Sequence, residues 1–206
     1  LWVNPIIDLM VVMVKLDGYI SSSESRRVKK YLDNEFDYFT SELKFKYYKK
    51  QLYSKLDVVS TIDMLKETTS TMERMRIINE LVKIALVDRL MSDKELLFIT
   101  KVSKRFGFNP RRLNSILEIH TYITEEDIRN PKPEKKYISN SIQKSYSILG
   151  LEPTATQKEV RDAYRELAKV FHPDKQRGSK ESKNIARAQF QVIAQAYEVI
   201  KKEKGN

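Results

Sequence analysis

The chain has 206 residues, room for one large domain or two small ones, and its 41% hydrophobic and 32% charged content with only 5 Gly and 6 Pro fits a helix-leaning globular protein, not a low-complexity or disordered one. It has no Cys, which excludes disulfide scaffolds, thiolate zinc sites and cysteine nucleophiles, and just two His, His120 and His172, from which alone any multi-histidine metal centre would have to be built. A net charge of +10 implies an acidic partner, and the excess is C-terminal: residues 1–128 carry 21 Lys/Arg against 19 Asp/Glu, residues 129–140 carry 4 against 1, and residues 141–206 carry 13 against 8.

In chain order, Asn4-Pro5 predicts the N-cap and first turn of a helix bearing Ile6, Leu9, Met10, Met13 and Val14, closed by Gly18. Asn4, Pro5, Asp8 and Lys15 interrupt this apolar stretch, which falls short of the ~20 residues a membrane span needs, so it reads as a buried helix. Ser21-Ser22-Ser23-Glu24 is a capping box for a helix through Val28, Tyr31 and Leu32 to about Glu35. Thr40–Tyr53 follows, with Leu43, Tyr47 and Leu52 on its apolar side, then a short helix from Val58 to Lys66. From Thr71 a stripe runs through Met75, Ile78, Leu81, Val82, Ala85 and Leu86; Ser92-Asp93-Lys94-Glu95 then opens a helix through Leu97, Ile99, Val102 and Phe106, which Gly107 ends. Asn109-Pro110 caps another helix through Leu113, Ile116 and Leu117, with His120 near its C-terminus. Period-two alternation is scarce, so no sheet is expected.

Two corners repeat. Asp17-Gly18-Tyr19-Ile20-Ser21-Ser22-Ser23-Glu24 and Asp88-Arg89-Leu90-Met91-Ser92-Asp93-Lys94-Glu95 share Asp, then Ser four later, then Glu three beyond. Asp17, Glu24, Asp88 and Glu95 are weak candidates for a divalent cation, but capping explains the spacing with fewer oxygens than an EF-hand-like site requires. These corners in an all-helical setting resemble the TerB-like (tellurite-resistance-type) fold over roughly residues 4–120, with Arg89 where that family usually has Gly. The resemblance implies an interaction or scaffolding role.

Residues 129–136, Arg-Asn-Pro-Lys-Pro-Glu-Lys-Lys, read as an extended, solvated spacer. Beyond it, Ser145–Leu149 is a short helix closed by Gly150. Thr156-Gln157-Lys158-Glu159 is a capping box for a helix whose Val160, Ala163, Tyr164, Leu167, Ala168 and Phe171 follow the 3.6-residue period. Arg161, Arg165 and Lys169 line its solvent side at i, i+4 and i+8. Pro173 stops this helix at His172 and fixes a rigid corner. A polar loop over 176–182 leads to a last helix bearing Ile185, Phe190, Ile193, Ala194, Tyr197 and Ile200, predicted to pack antiparallel on the first.

Tyr146-x-x-Leu149-Gly150-Leu151, Ala163-Tyr164-Arg165-x-Leu167-Ala168, His172-Pro173-Asp174-Lys175 and Phe190-x-x-Ile193-x-x-Ala196-Tyr197 together resemble the J domain of DnaJ/Hsp40 co-chaperones. A J domain after a TerB-like domain is similar to the DjlA-like subgroup. The expected fold is all-α: an N-terminal TerB-like helical bundle (1–128), a Pro/Lys linker (129–140) and a C-terminal J-domain helical hairpin (141–206). The resemblance implies a non-enzymatic co-chaperone without cofactor that docks on the ATPase domain of an Hsp70, DnaK in bacteria. Arg161, Arg165, Lys169 and Lys175 would dock; His172, Pro173 and Asp174 would trigger ATP hydrolysis by that partner. Glu166, where many members carry a base, would weaken or redirect docking. The charge keeps a basic nucleic-acid-binding module as the alternative, although no nucleic acid is expected. The absence of phosphate-cradling Gly motifs places nucleotide hydrolysis on the partner. A chain without a visible signal peptide or cysteine is expected in the cytoplasm, tethered to the inner membrane where an anchor precedes Leu1.

Overall fold

The computed structural model of the protein describes residues 3–87, 90–130, 132, 135–138, 141–175 and 179–205. Among these, every regular element is helical, and they form two units, residues 1–108 and 109–206.

The first unit is organised around α1 (Val3–Lys15). Ile6, Ile7, Leu9, Met10, Val11, Met13 and Val14 are all buried, and a helix apolar around its circumference has to be surrounded. It is packed by α2 (Ser22–Glu35), α3 (Tyr38–Gln51), α4 (Val58–Thr68) and α5 (Thr71–Ala85), with α6 (Asp93–Arg105) against α4 and α5. α1 begins at Val3, so Asn4 lies inside the first turn instead of capping it; its side chain accepts from Lys44 at 2.8 Å. Asp8, the acid on this helix, accepts from the Tyr47 hydroxyl at 2.9 Å. Burial raises the Asp8 pKa against that hydrogen bond, and burial together with Asp8 pushes Tyr47 up to about 12.

Helix starts are set locally. Ser21, Ser70, Ser92, Thr124 and Thr156 each receive the N3 amide while the N3 acid returns to the cap amide, satisfying two orphan donors at each end. Within α3 the periodicity reading fails: Leu43 is 50% exposed, while Tyr48 and Ser41 are buried. Leu97 is likewise exposed at 54%, its place in the core taken by Phe98.

The second unit comprises α7 (Pro110–Thr121), α8 (Glu125–Arg129), α9 (Ile142–Leu149), α10 (Gln157–Phe171), a 3-10 turn (Pro173–Lys175) and α11 (Lys180–Glu203). Tyr164 stacks on Tyr197, and His172 meets Phe190, so α10 and α11 run antiparallel. α9 packs between α7 and α11, with Tyr146, Ile148 and Leu149 buried. Gly150 closes α9 at φ 69° in a Schellman arrangement, the Leu151 amide reaching the Tyr146 carbonyl at 2.9 Å.

By packing, the described residues divide at Phe108 and Asn109, upstream of the 129–140 segment. α7 and α8 cluster with the J-like helices because Leu113, Ile116 and Ile119 bury their apolar face there, and the Ser115 hydroxyl donates to the Ile148 carbonyl. The spacer is not uniformly solvated either. Gln195 of α11 accepts from the amides of Tyr137 and Ile138, at 2.9 and 3.3 Å, and donates to the Lys135 carbonyl at 2.7 Å. Asn184 donates to the Ile128 carbonyl at 2.9 Å. Two polar side chains on α11 thus bind the backbone that precedes α9, and Ile138 is buried. Charge and proline content pointed to solvent, but these amides and carbonyls find partners on a helix that is remote in sequence.

Candidate functional site

The site is built on the C-terminal end of α10. That helix turns its apolar residues, Val160, Ala163, Leu167, Val170 and Phe171, to the core. Successive steps of 100° then leave Arg161, Arg165 and Lys169 on an arc of about 80° on the other side, and all three are exposed. Asp162 lies 3.8 Å from Arg165, with both side chains more than half exposed (69% and 51%), a screened pair that contributes little.

The helix stops where the sequence requires. His172 adopts φ −62° and ψ 127°, the extended backbone imposed by a following proline, and Pro173–Lys175 forms one tight turn. The Asp174 amide donates to His172 Nδ1 at 3.2 Å, so in the neutral ring the proton sits on Nε2. The Asp174 carboxylate lies 3.8 Å from Nδ1 and is 88% exposed, whereas the imidazole is 40% exposed. The ring stands edge-on to Phe190 of α11, centroids 5.5 Å apart at 78°. The end of α10 therefore displays an imidazole and an open carboxylate, and the row Arg161, Arg165 and Lys169 runs along the helix that leads to it. The Lys175 side chain lies outside the described residues, as does Asp88 of the repeated corners.

Glu166 has a different place from the one its sequence position suggests. It lies about 60° around the helix from Lys169, at the edge of the cationic arc, and Arg112 of α7 donates to it at 2.8 Å, with Arg112 only 19% exposed. Arg111, next on α7, pairs with Glu152. His120 meets Phe171 edge-on, and its Nδ1 lies 3.1 Å from Gln189 Nε2, fixing it as a packed residue in the last turn of α7.

Asp127 is the structural polar residue that sequence reading missed. Its side chain is 2% exposed and receives Lys135 at 2.6 Å, the Tyr137 hydroxyl at 3.1 Å and the Thr124 hydroxyl at 2.6 Å. Burial alone would raise its pKa, but these donors hold it at about 2. Thr124-x-x-Asp127 is itself a capping pattern, the signal that could have revealed α8.

The repeated corners are helix caps. Glu24 returns to the Ser21 amide at 3.3 Å and Glu95 to the Ser92 amide at 2.7 Å, while Asp17 accepts from the Ser92 hydroxyl at 3.1 Å. Their carboxylate oxygens are thereby engaged, and among the described residues no group of three His, Asp or Glu could hold a metal ion. Among the described residues, no helix is long and apolar enough to cross a membrane.

No solved structure matches the chain. The family model for the DnaJ domain matches residues 144–205, and that for tellurite resistance protein TerB matches residues 5–118. A J domain implies an Hsp70 partner in general. With its capped helical corners and its proline-locked bend, the chain belongs to the TerB family and carries a C-terminal DnaJ domain, the DjlA-like architecture.

Proposed function

We propose that this protein is an Hsp70 co-chaperone whose α10 docks on the partner's ATPase domain and whose His172-Pro173-Asp174 corner stimulates ATP hydrolysis there, with the TerB domain acting as a targeting or interaction module. The observation that carries this reading is the exposed Asp174 carboxylate and the half-buried imidazole at the end of α10, with the exposed cations Arg161, Arg165 and Lys169 in one row along the same helix. A row of cations steers an acidic surface and sets its register, supplying association rate more than affinity. The corner then offers an acceptor and an Nε2–H donor in a backbone geometry fixed by Pro173, so little entropy is lost on contact. Lys175 follows directly and adds a fourth cation to the docking set. Hydrolysis takes place on the partner.

Single-turnover ATP hydrolysis by DnaK, measured with the complete chain and with His172→Gln, tests the proposal. The expected result is loss of stimulation by the variant with unchanged helical content. Equal stimulation by both proteins would overturn it.

A further inference from the structure

The outer stripe of α3 points to a second surface, one that the Hsp70 reading does not use. Helical spacing brings Tyr38, Phe39, Leu43, Lys46, Lys49 and Lys50 within an arc of about 140°, with Tyr53 in the turn beyond. Tyr38 is 79% exposed, Phe39 71%, Leu43 50% and Tyr53 87%, and the three lysines are exposed as well. The opposite side, with Ser41 and Tyr48 buried, is the one that packs. Glu42, the acid within the arc, is held by Lys29 at 2.9 Å, and Lys49 rests over the Phe45 ring at 4.8 Å.

We propose that this stripe docks on an anionic membrane surface. Tyr38, Phe39 and Leu43 at the start of the helix, with Tyr53 in the turn beyond its end, are large apolar or aromatic side chains that a soluble surface seldom leaves uncovered together. Three features select a lipid surface as its occupant. The stripe is the outer face of a helix, convex where a peptide or a nucleic-acid strand would need a groove. Every cation on it is Lys, a point charge on a flexible stem that reaches headgroup phosphates from a buried base, and Arg, the residue suited to bidentate recognition, is absent from Tyr38–Tyr53. Rings at the start of α3 and lysines along the rest of the same arc suit a headgroup layer, the aromatic side chains at headgroup level and the ammonium groups at the phosphates.

This inference gives the proposed targeting role a surface, but it is tested independently of Hsp70. The complete chain is floated with vesicles of phosphatidylcholine alone and with about one-third phosphatidylglycerol, at about 0.1 M and about 1 M salt. Lys46→Glu with Lys50→Glu, and Tyr38→Ser with Phe39→Ser, replace exposed residues, and far-UV circular dichroism checks their fold. Partitioning is expected to favour anionic vesicles, to fall about tenfold or more in the charge variant and at high salt, and to fall several-fold in the aromatic variant. Equal partitioning to both vesicle types, or variants that bind like the unsubstituted chain, would overturn the proposal. So would variant-sensitive binding of a single-stranded oligonucleotide or of polyglutamate in the absence of vesicle binding. Stimulation of DnaK by both variants is expected to match the unsubstituted chain, so failure of this inference and failure of the co-chaperone reading are separable.

Discussion

Arg112 on α7 and Glu166 on α10 form an ion pair at 2.8 Å that ties a helix matched to the TerB family to the long central helix of the J domain. The pair explains the acid at a position beside the cationic row. Glu166 serves α7, its carboxylate held by Arg112. Replacing Glu166 with Lys sets two cations against each other and is expected to destabilise the chain by about 1 kcal/mol, whereas a double-mutant cycle of Arg112→Ala and Glu166→Ala should give a coupling of roughly 0.5–1 kcal/mol. Urea unfolding of the four proteins measures both; zero coupling would mean that the pair is energetically idle.

Gly150 is a position where a side chain cannot be added cheaply. Its φ is 69°, and a Cβ built on it would lie 3.3 Å from the Arg111 carbonyl oxygen and 3.3 Å from the Ser115 Cβ. Gly150→Ala therefore combines left-handed strain with a tight approach to backbone, and a loss of about 1–2 kcal/mol is expected. Thermal unfolding of the variant, compared with Ala at the solvent-facing Gly18, separates the two causes, because a Cβ at Gly18 meets nothing within 4 Å and should cost less.

Asp127 gives the second unit an acid-sensitive clasp. Its pKa is lowered from the ordinary carboxylate value of 3.8 to about 2, so its contribution is fully present above pH ~4 and is lost as pH falls through about 2. The shift corresponds to about 2 kcal/mol. Asp127→Asn should lower stability at neutral pH and flatten the acid limb of the stability profile. Unfolding free energies between pH 2 and pH 7 decide the matter, and parallel profiles for the two proteins would remove Asp127 from the account.

A fragment beginning at residue 109 is expected to unfold cooperatively at a higher temperature than one beginning at 141. The shorter piece lacks Leu113, Ile116 and Ile119, each of which covers apolar surface worth roughly 1.5–3 kcal/mol, and also lacks the hydrogen bond of Ser115 to Ile148. Calorimetry on the two fragments tests this; coincident transitions would show that α9, α10 and α11 are sufficient alone.

The helices and the corner were legible in the sequence because their determinants are local. Ser21-x-x-Glu24, Ser92-x-x-Glu95 and Thr156-x-x-Glu159 act within three residues, and Pro173 acts on its own neighbour. The 3.6-residue period identified the core of α10 for the same reason. It failed on α3, where Tyr48 is buried and Leu43 is exposed, because large apolar and aromatic residues occupy both the packed and the exposed side of that helix, so hydrophobicity alone does not tell the two apart. What the sequence concealed is pairing at a distance. Arg112 with Glu166, Gln195 with Tyr137 and Asn184 with Ile128 join residues more than fifty positions apart, and no spacing rule connects them. The boundary between units followed suit: composition placed it at the prolines, whereas the burial of Leu113, Ile116 and Ile119 placed α7 with the hairpin.

The edge-on contact between His172 and Phe190 divides the geometry of the corner between two sources. Pro173 sets the bend from within its own turn, but the tilt of the imidazole rests on a ring in the middle of α11. The backbone of the corner is thus a local property of the chain, while the orientation of its side chain is secured only where the second arm of the hairpin lies against the first.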